Sequence, residues 1–371
     1  MNRTIQESMR LMQAGDLMAA TRALQSGLSA ATSLIGDREF AASDAKVGSI
    51  KGEFRVVAGS DDDHPDDAHV RKPSVADPGR RSIAEFSDHH FTCAAGTLAY
   101  KLFIPVDIIV AEAPLLVMLH GCTQSPDDFA RGTRMNARAQ EKGYIVAYPA
   151  QGQGKNAGKC WNWFRDQDQQ RDHGEPALLA ALTRDVVNTL GLDPERVVVA
   201  GLSAGGAMAA ILADTYPDLY AAVGVHSGLA RGAARDLPSA YAAMRQAPGA
   251  PAVHIARTRN RTVPAIVFHG DRDTTVHPGN GDALVAQRID AFRDDGPMGT
   301  VERGSTPGGR TYTRTVFRHA DRGVVAEQWI VHGAAHAWSG GDPAGSYTDA
   351  AGPDASEHML RFFSDCPRRR D

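Results

Sequence analysis

Gly201-Leu202-Ser203-Ala204-Gly205-Gly206 follows the apolar run Val197-Val198-Val199-Ala200 and leads straight into Ala207-Met208-Ala209-Ala210-Ile211-Leu212. The run before it reads as a buried strand and the run after it as a helix. That context turns a common glycine pattern into a specific one. A serine nucleophile must be lifted clear of a sheet on a strained strand-to-helix turn, and glycines at 201 and 205 let the backbone crowd there. Ser203 stands at the apex. The N–H of Ala204, at the positive end of the helix, then points to where an oxyanion would form.

Outward from this turn, short apolar runs bounded by Gly, Pro or Asp alternate with longer helical patterns. The runs are 115–119, 144–148, 196–200, 222–225, 265–268 and 329–331. Such alternation is expected of parallel strands covered by helices, so the fold class is α/β with one large sheet. Thr92 to Pro105 reads as a hairpin or pair of edge strands that would extend it antiparallel. Ahead of this, residues 1–36 read as amphipathic helices broken at Gly15-Asp16, and 37–84 as a linker rich in acids and breakers. The catalytic domain is set at 85–366 and a tail at 367–371. The acid and His cluster Asp61-Asp62-Asp63-His64 reads as solvated linker and not as a metal site.

Composition narrows the classes of function. Forty Lys+Arg against 44 Asp+Glu leave a net charge of −4, so the basic field that holds a polyanion is missing, and no nucleic-acid partner is expected. No apolar run reaches the roughly 18 residues of a membrane span, and the N-terminal residues lack a signal-type stretch, which makes the cytoplasm the expected location. The four cysteines, 93, 122, 160 and 366, include no C-x-x-C pair and read as free thiols.

A serine hydroxyl needs a base, and the base needs an acid to fix its tautomer. Both partners occur downstream in the order Ser, Asp, His. The run 265–268 ends in His269-Gly270-Asp271-Arg272-Asp273, which brings carboxylates to the C-terminal edge of the sheet. Asp273 is the chosen acid and Asp271 the alternative. Beyond the last strand, His332-Gly333-Ala334-Ala335-His336 offers His336 as the base; His332 still belongs to the strand end, and His358 falls in a final helix.

Two further loops matter. Leu119-His120-Gly121-Cys122-Thr123 closes the first apolar run and is placed to donate a second backbone N–H to the oxyanion, that of Cys122. Cys122 as a thiol nucleophile is the competing reading, but no strand-turn-helix elbow surrounds it. Gly152 to Cys160 has glycines and lysines but the wrong spacing for a phosphate loop. The aromatics of Cys160-Trp161-Asn162-Trp163-Phe164 either line a groove for a chain-like ester or close over the core. Trp161, Trp163 and Trp338 are accordingly the candidate substrate-binding residues.

Together, Leu119-His120-Gly121-Cys122-Thr123-Gln124, Tyr148-Pro149-Ala150-Gln151, Cys160-Trp161-Asn162-Trp163-Phe164, Gly201 to Met208, Tyr216-Pro217-Asp218 and Gly333 to Gly340 resemble the poly(3-hydroxybutyrate) depolymerase family of α/β-hydrolase esterases, close to feruloyl and acetylxylan esterases. The resemblance covers roughly residues 90 to 365. It implies an α/β-hydrolase fold, a serine esterase acting on 3-hydroxyalkanoate esters, Ser203, Asp273 and His336 as its triad, and no metal or organic cofactor. Cys122 and Cys160 fall at paired-looking motif positions, and a disulfide between them would point to export. The partner implied is a polyester or ester substrate. The rivals are a carbohydrate esterase or peptidase on the same scaffold and a catalytically idle protein bound to a polyhydroxyalkanoate granule surface.

Overall fold

The structure is a computed structural model that describes residues 84–246, 262–290 and 297–366. In chain order its main strands are β1 (Glu85–Cys93), β2 (Gly96–Ile104), β3 (Leu115–Leu119), β4 (Ile145–Ala150), β5 (Val197–Leu202), β6 (Ala222–His226), β7 (Ala265–Gly270), β8 (Met298–Ser305), β9 (Thr311–His319) and β10 (Gly323–Val331). They form one 10-stranded sheet in the order β1-β2-β4-β3-β5-β6-β7-β10-β9-β8. The strands β4-β3-β5-β6-β7-β10 run parallel, and antiparallel strands extend both edges.

The parallel strands are apolar throughout because both of their faces are covered. In β5, Val197 and Val199 enter one core, while Val198, Ala200 and Leu202 enter the other. This is the two-residue alternation of a strand. Among the helices, α1 (Pro126–Thr133), α2 (Met135–Lys142) and α7 (Ala355–Asp365) cover the second face. The first is covered by α3 (Gly174–Leu190), α4 (Ala204–Thr215), α5 (Leu237–Arg245) and α6 (Gly279–Ile289). The layered, mostly parallel architecture is the one expected from the sequence.

Two differences stand out. β8 and β9 form an antiparallel extension beside β10 that the six apolar runs did not include. β8 is largely exposed and β9 mostly half-buried, so neither carries an apolar run to detect; charged Glu302 and Arg303 on the outermost strand discourage edge-to-edge pairing. β10 also begins at Gly323, well before the short run at 329–331. The expected helices, nearly all of the linker (residues 1–83) and the tail 367–371 lie outside the described residues.

Register decides where the site falls. Leu119 lies opposite Gly201, Leu202 opposite His226, His226 opposite Phe268, and Gly270 opposite Val331. The loops that follow β3, β5, β7 and β10 therefore leave the sheet at one carboxyl edge, side by side.

Candidate active site

Ser203 joins β5 to α4 with φ 57° and ψ −120°. This left-handed φ is costly for a residue with a Cβ, on the order of 1–3 kcal/mol, and persists only where the surroundings enforce it. Here they do. A Cβ on Gly205 would overlap the Leu119 and His120 carbonyl oxygens, so only glycine lets the elbow sit this close to the end of β3. The Ser203 N–H is fixed by a 2.9 Å bond to the His226 carbonyl.

The two acids separate cleanly. His336 Nδ1 lies 2.7 Å from Asp273 Oδ2, whereas His332 Nδ1 lies 2.9 Å from Asp271 Oδ2. Asp273 Oδ1 accepts the N–H groups of Thr275 and Val276 at 2.9 and 2.8 Å, which orients the carboxylate. Burial alone would raise its pKa, but hydrogen bonds and charge from His269 and His336 outweigh burial and hold it far below the ordinary carboxylate range. Asp273 is thus an anion with its free lone pairs aimed at His336. The acid and base loops are pressed together, since Arg272 donates to the Ala334 carbonyl at 3.0 Å and a Cβ on Gly270 would strike that same carbonyl.

Sequence reasoning missed several residues here. His226 links the two sides of the site: its carbonyl holds Ser203, and its Nε2 accepts the Ser339 N–H at 3.0 Å. Burial first, then the nearby His269 and His336, push its pKa well below the usual value, so it stays neutral and its Nδ1–H faces Ser227 Oγ. His269 approaches Asp273 Oδ2 at 3.3 Å and the Val276 carbonyl at 2.9 Å. Tyr347 stands edge-on to His336 with ring centroids 6.4 Å apart, and its hydroxyl lies 3.3 Å from Thr123 Oγ1. Only the chemistry of these side chains was legible in advance, because their partners lie far away in sequence.

The loop after β3 lies against the elbow, as the Gly205 contacts require. Among the described residues, neither the Cys122 N–H nor the Ala204 N–H donates a hydrogen bond. Both are available to an oxyanion. The free-thiol reading of Cys122 and Cys160 is corrected, because the two form a disulfide. A thiol nucleophile at Cys122 goes with it. Cys93 and Cys366 are free. With the bonded cysteines at a sequence separation of 38, chain-entropy arguments give the crosslink about 3–4 kcal/mol. The expected result is that a Cys122→Ala, Cys160→Ala double variant unfolds at correspondingly lower urea, with ester turnover several-fold reduced through the loosened loop.

The three tryptophans are another correction. Trp161, Trp163 and Trp338 are only 1%, 3% and 1% exposed. Their rings fill the core, with Trp161 Nε1 donating to the His120 carbonyl at 3.1 Å and Trp338 Nε1 to Ser356 Oγ at 3.1 Å. They support the site from behind and offer no face to a substrate. His358, in the final helix, stacks on Trp329, with ring centroids 4.3 Å apart, away from the triad.

Among the described residues, no cluster of His, Cys, Asp and Glu could hold a metal ion, and no helix is long and apolar enough to cross a membrane.

The family model described as "Esterase PHB depolymerase" matches residues 98–306, more than half of the chain. A poly(3-hydroxyalkanoate) depolymerase C of Paucimonas lemoignei is 33% identical over 236 residues, covering 61% of this chain and 55% of that protein. An acetylxylan esterase A of Talaromyces purpureogenus is 26% identical over 214 residues, 54% of each chain. This chain therefore spans about half the length of these relatives. Among solved structures, an acetyl xylan esterase from Aspergillus awamori superposes with a TM-score of 0.57 at 21% identity, covering 67% of this chain and 94% of that one. The shared architecture is the α/β-hydrolase fold.

Proposed function

Because the chain belongs to the esterase PHB depolymerase family, we propose that it is a serine esterase that cleaves poly(3-hydroxybutyrate) or related 3-hydroxyalkanoate polymers and oligomers through an acyl-enzyme. The observation that carries this reading is the His336–Asp273 pair at 2.7 Å, on loops beside the strained Ser203 elbow. With Nδ1 turned to Asp273, His336 has Nε2 left for the serine. His336 Nε2 takes the Ser203 proton as Oγ bonds to the ester carbonyl carbon, and the carbonyl oxygen becomes an oxyanion held by the Cys122 and Ala204 N–H groups. Collapse breaks the ester C–O bond, and the imidazolium returns its proton to the departing alkoxide. Water then repeats the sequence on the acyl-enzyme, its proton passing through His336 to Ser203, which leaves a free acid.

The substrate is inferred from the likeness to the Paucimonas lemoignei depolymerase; the acetylxylan esterase relative favours a second reading, an ester carried on carbohydrate. One assay separates them. Release of 3-hydroxybutyrate from amorphous polymer is expected beside hydrolysis of p-nitrophenyl butyrate. Turnover of acetylated xylan or methyl ferulate with none of the polyester would move the protein to the second reading, and no turnover at all would favour an idle protein on a granule surface. The disulfide suits an oxidising compartment, which weighs against the cytoplasmic location read from the N-terminal sequence.

A further inference from the structure

Glu175, in the first turn of α3, takes no part in the steps above, yet three hydrogen bonds converge on its carboxylate. Oε1 accepts Gln151 Nε2 at 2.5 Å and Asn162 Nδ2 at 2.6 Å, and Oε2 accepts the Asn162 N–H at 2.7 Å. Withdrawal from water first, and nearby Asp168 second, push its pKa up to about 7 against these bonds. Asp168 is itself engaged, accepting the Glu175 N–H at 2.6 Å. A polar but neutral side chain would avoid that penalty, so the position calls for an acceptor of three donors.

Two arms lead away from this carboxylate. Along the first, the Gln151 N–H donates to His120 Nε2 at 3.1 Å, and His120 Nδ1–H donates to the Gly121 carbonyl at 2.7 Å. His120 is held neutral for this double role, its pKa lowered to about 4 chiefly by burial. Along the second, Asn162 Oδ1 accepts Asn156 Nδ2 at 3.1 Å, Asn156 Oδ1 accepts the Gly158 N–H at 2.9 Å, and the Gly158 carbonyl accepts the Thr123 N–H at 2.7 Å. One arm ends on the residue before Cys122 and the other on the residue after it. The disulfide holds Cys122 itself to Cys160, whose carbonyl accepts Gln151 Nε2 at 3.1 Å.

We propose that Glu175 is a positioning residue for the oxyanion site: through the Gln151–His120–Gly121 and Asn162–Asn156–Gly158–Thr123 arms it sets where the Cys122 N–H points. This rests on the reading of Cys122 as an oxyanion donor. The ground-state ester gains little from that N–H and the tetrahedral state gains much, so misplacing it lowers kcat and spares KM.

The test is Glu175→Gln, whose amide sets an NH2 group against donors that need an acceptor. Active serines are counted by mass spectrometry after fluorophosphonate labelling, and p-nitrophenyl butyrate kinetics are expressed per labelled serine. The expected result is a kcat lower by about 10- to 100-fold with KM within about threefold, and a matching loss of affinity for a boronic acid that forms a tetrahedral adduct on the serine. Unchanged kcat per labelled serine, or a raised KM at unchanged kcat, would overturn the proposal. If the Gln protein does not fold, Asn156→Ala decides by the same readouts, because it cuts the second arm midway. Failure of the serine-esterase reading itself looks different: the unsubstituted protein would then neither label at Ser203 nor hydrolyse the ester.

Discussion

Replacing Ser203 by Ala is expected to lower the kcat for p-nitrophenyl butyrate by about 10⁴- to 10⁶-fold, the scale seen when a triad nucleophile is removed. Alanine keeps the Cβ and so tolerates the φ of 57° no better and no worse than serine. The neighbours that enforce the elbow, Gly205 against the Leu119 carbonyl and the Ser203 N–H on the His226 carbonyl, do not use the hydroxyl. The urea midpoint should therefore stay within experimental error of the parent while turnover disappears. Residual activity above about 1% would remove Ser203 from the nucleophile's role. Cys122 could not take it over while it remains in the disulfide.

The elbow was legible in the sequence because every element of it is local. A β-branched strand, glycines at 201 and 205 and an alanine-rich helix stand within sixteen residues, and each has a steric reason to be there. The parallel strands were legible for a related reason, since burial on both faces leaves uninterrupted apolar runs. β9 was not. Its Thr311-Tyr312-Thr313-Arg314-Thr315-Val316 mixes polar side chains that are mostly half-exposed with a few apolar ones, so no apolar run marks it, and it is found only through its pairing with β10. The tryptophans misled because an aromatic cluster in a loop looks the same in sequence whether the loop faces a ligand or, as here, folds inward. Nor could the arms from Glu175 be read, because each link depends on which loops the sheet order brings together.

The choice between the two carboxylates shows how structure sharpens a sequence argument into a measurement. Position in the loop favoured Asp273 with Asp271 as the alternative, and hydrogen bonding gives Asp271 to His332 and Asp273 to His336. Asp273→Asn is expected to lower kcat by about 10⁴-fold, and the reason lies in the other carboxylate oxygen. Oδ1 accepts two backbone N–H groups, so an amide introduced here must keep its oxygen on that side and turn its NH2 toward His336 Nδ1 and His269 Nε2. Donor then meets donor. His336 is forced to carry its proton on Nε2, where it can no longer accept one from Ser203. The Asp271→Asn protein, tested beside it, should retain activity within about threefold, because His332 lies off the path of the proton. A loss at Asp271 as large as that at Asp273 would overturn the assignment. Stability supplies an independent check with a definite sign. Because the Asp273 carboxyl is held far below its unfolded value of roughly 3.9, its stabilising contribution is complete above about pH 4 and fades as pH falls from there toward the folded-state pKa. The difference in unfolding free energy between parent and Asp273→Asn should accordingly be largest near neutrality and shrink in acid.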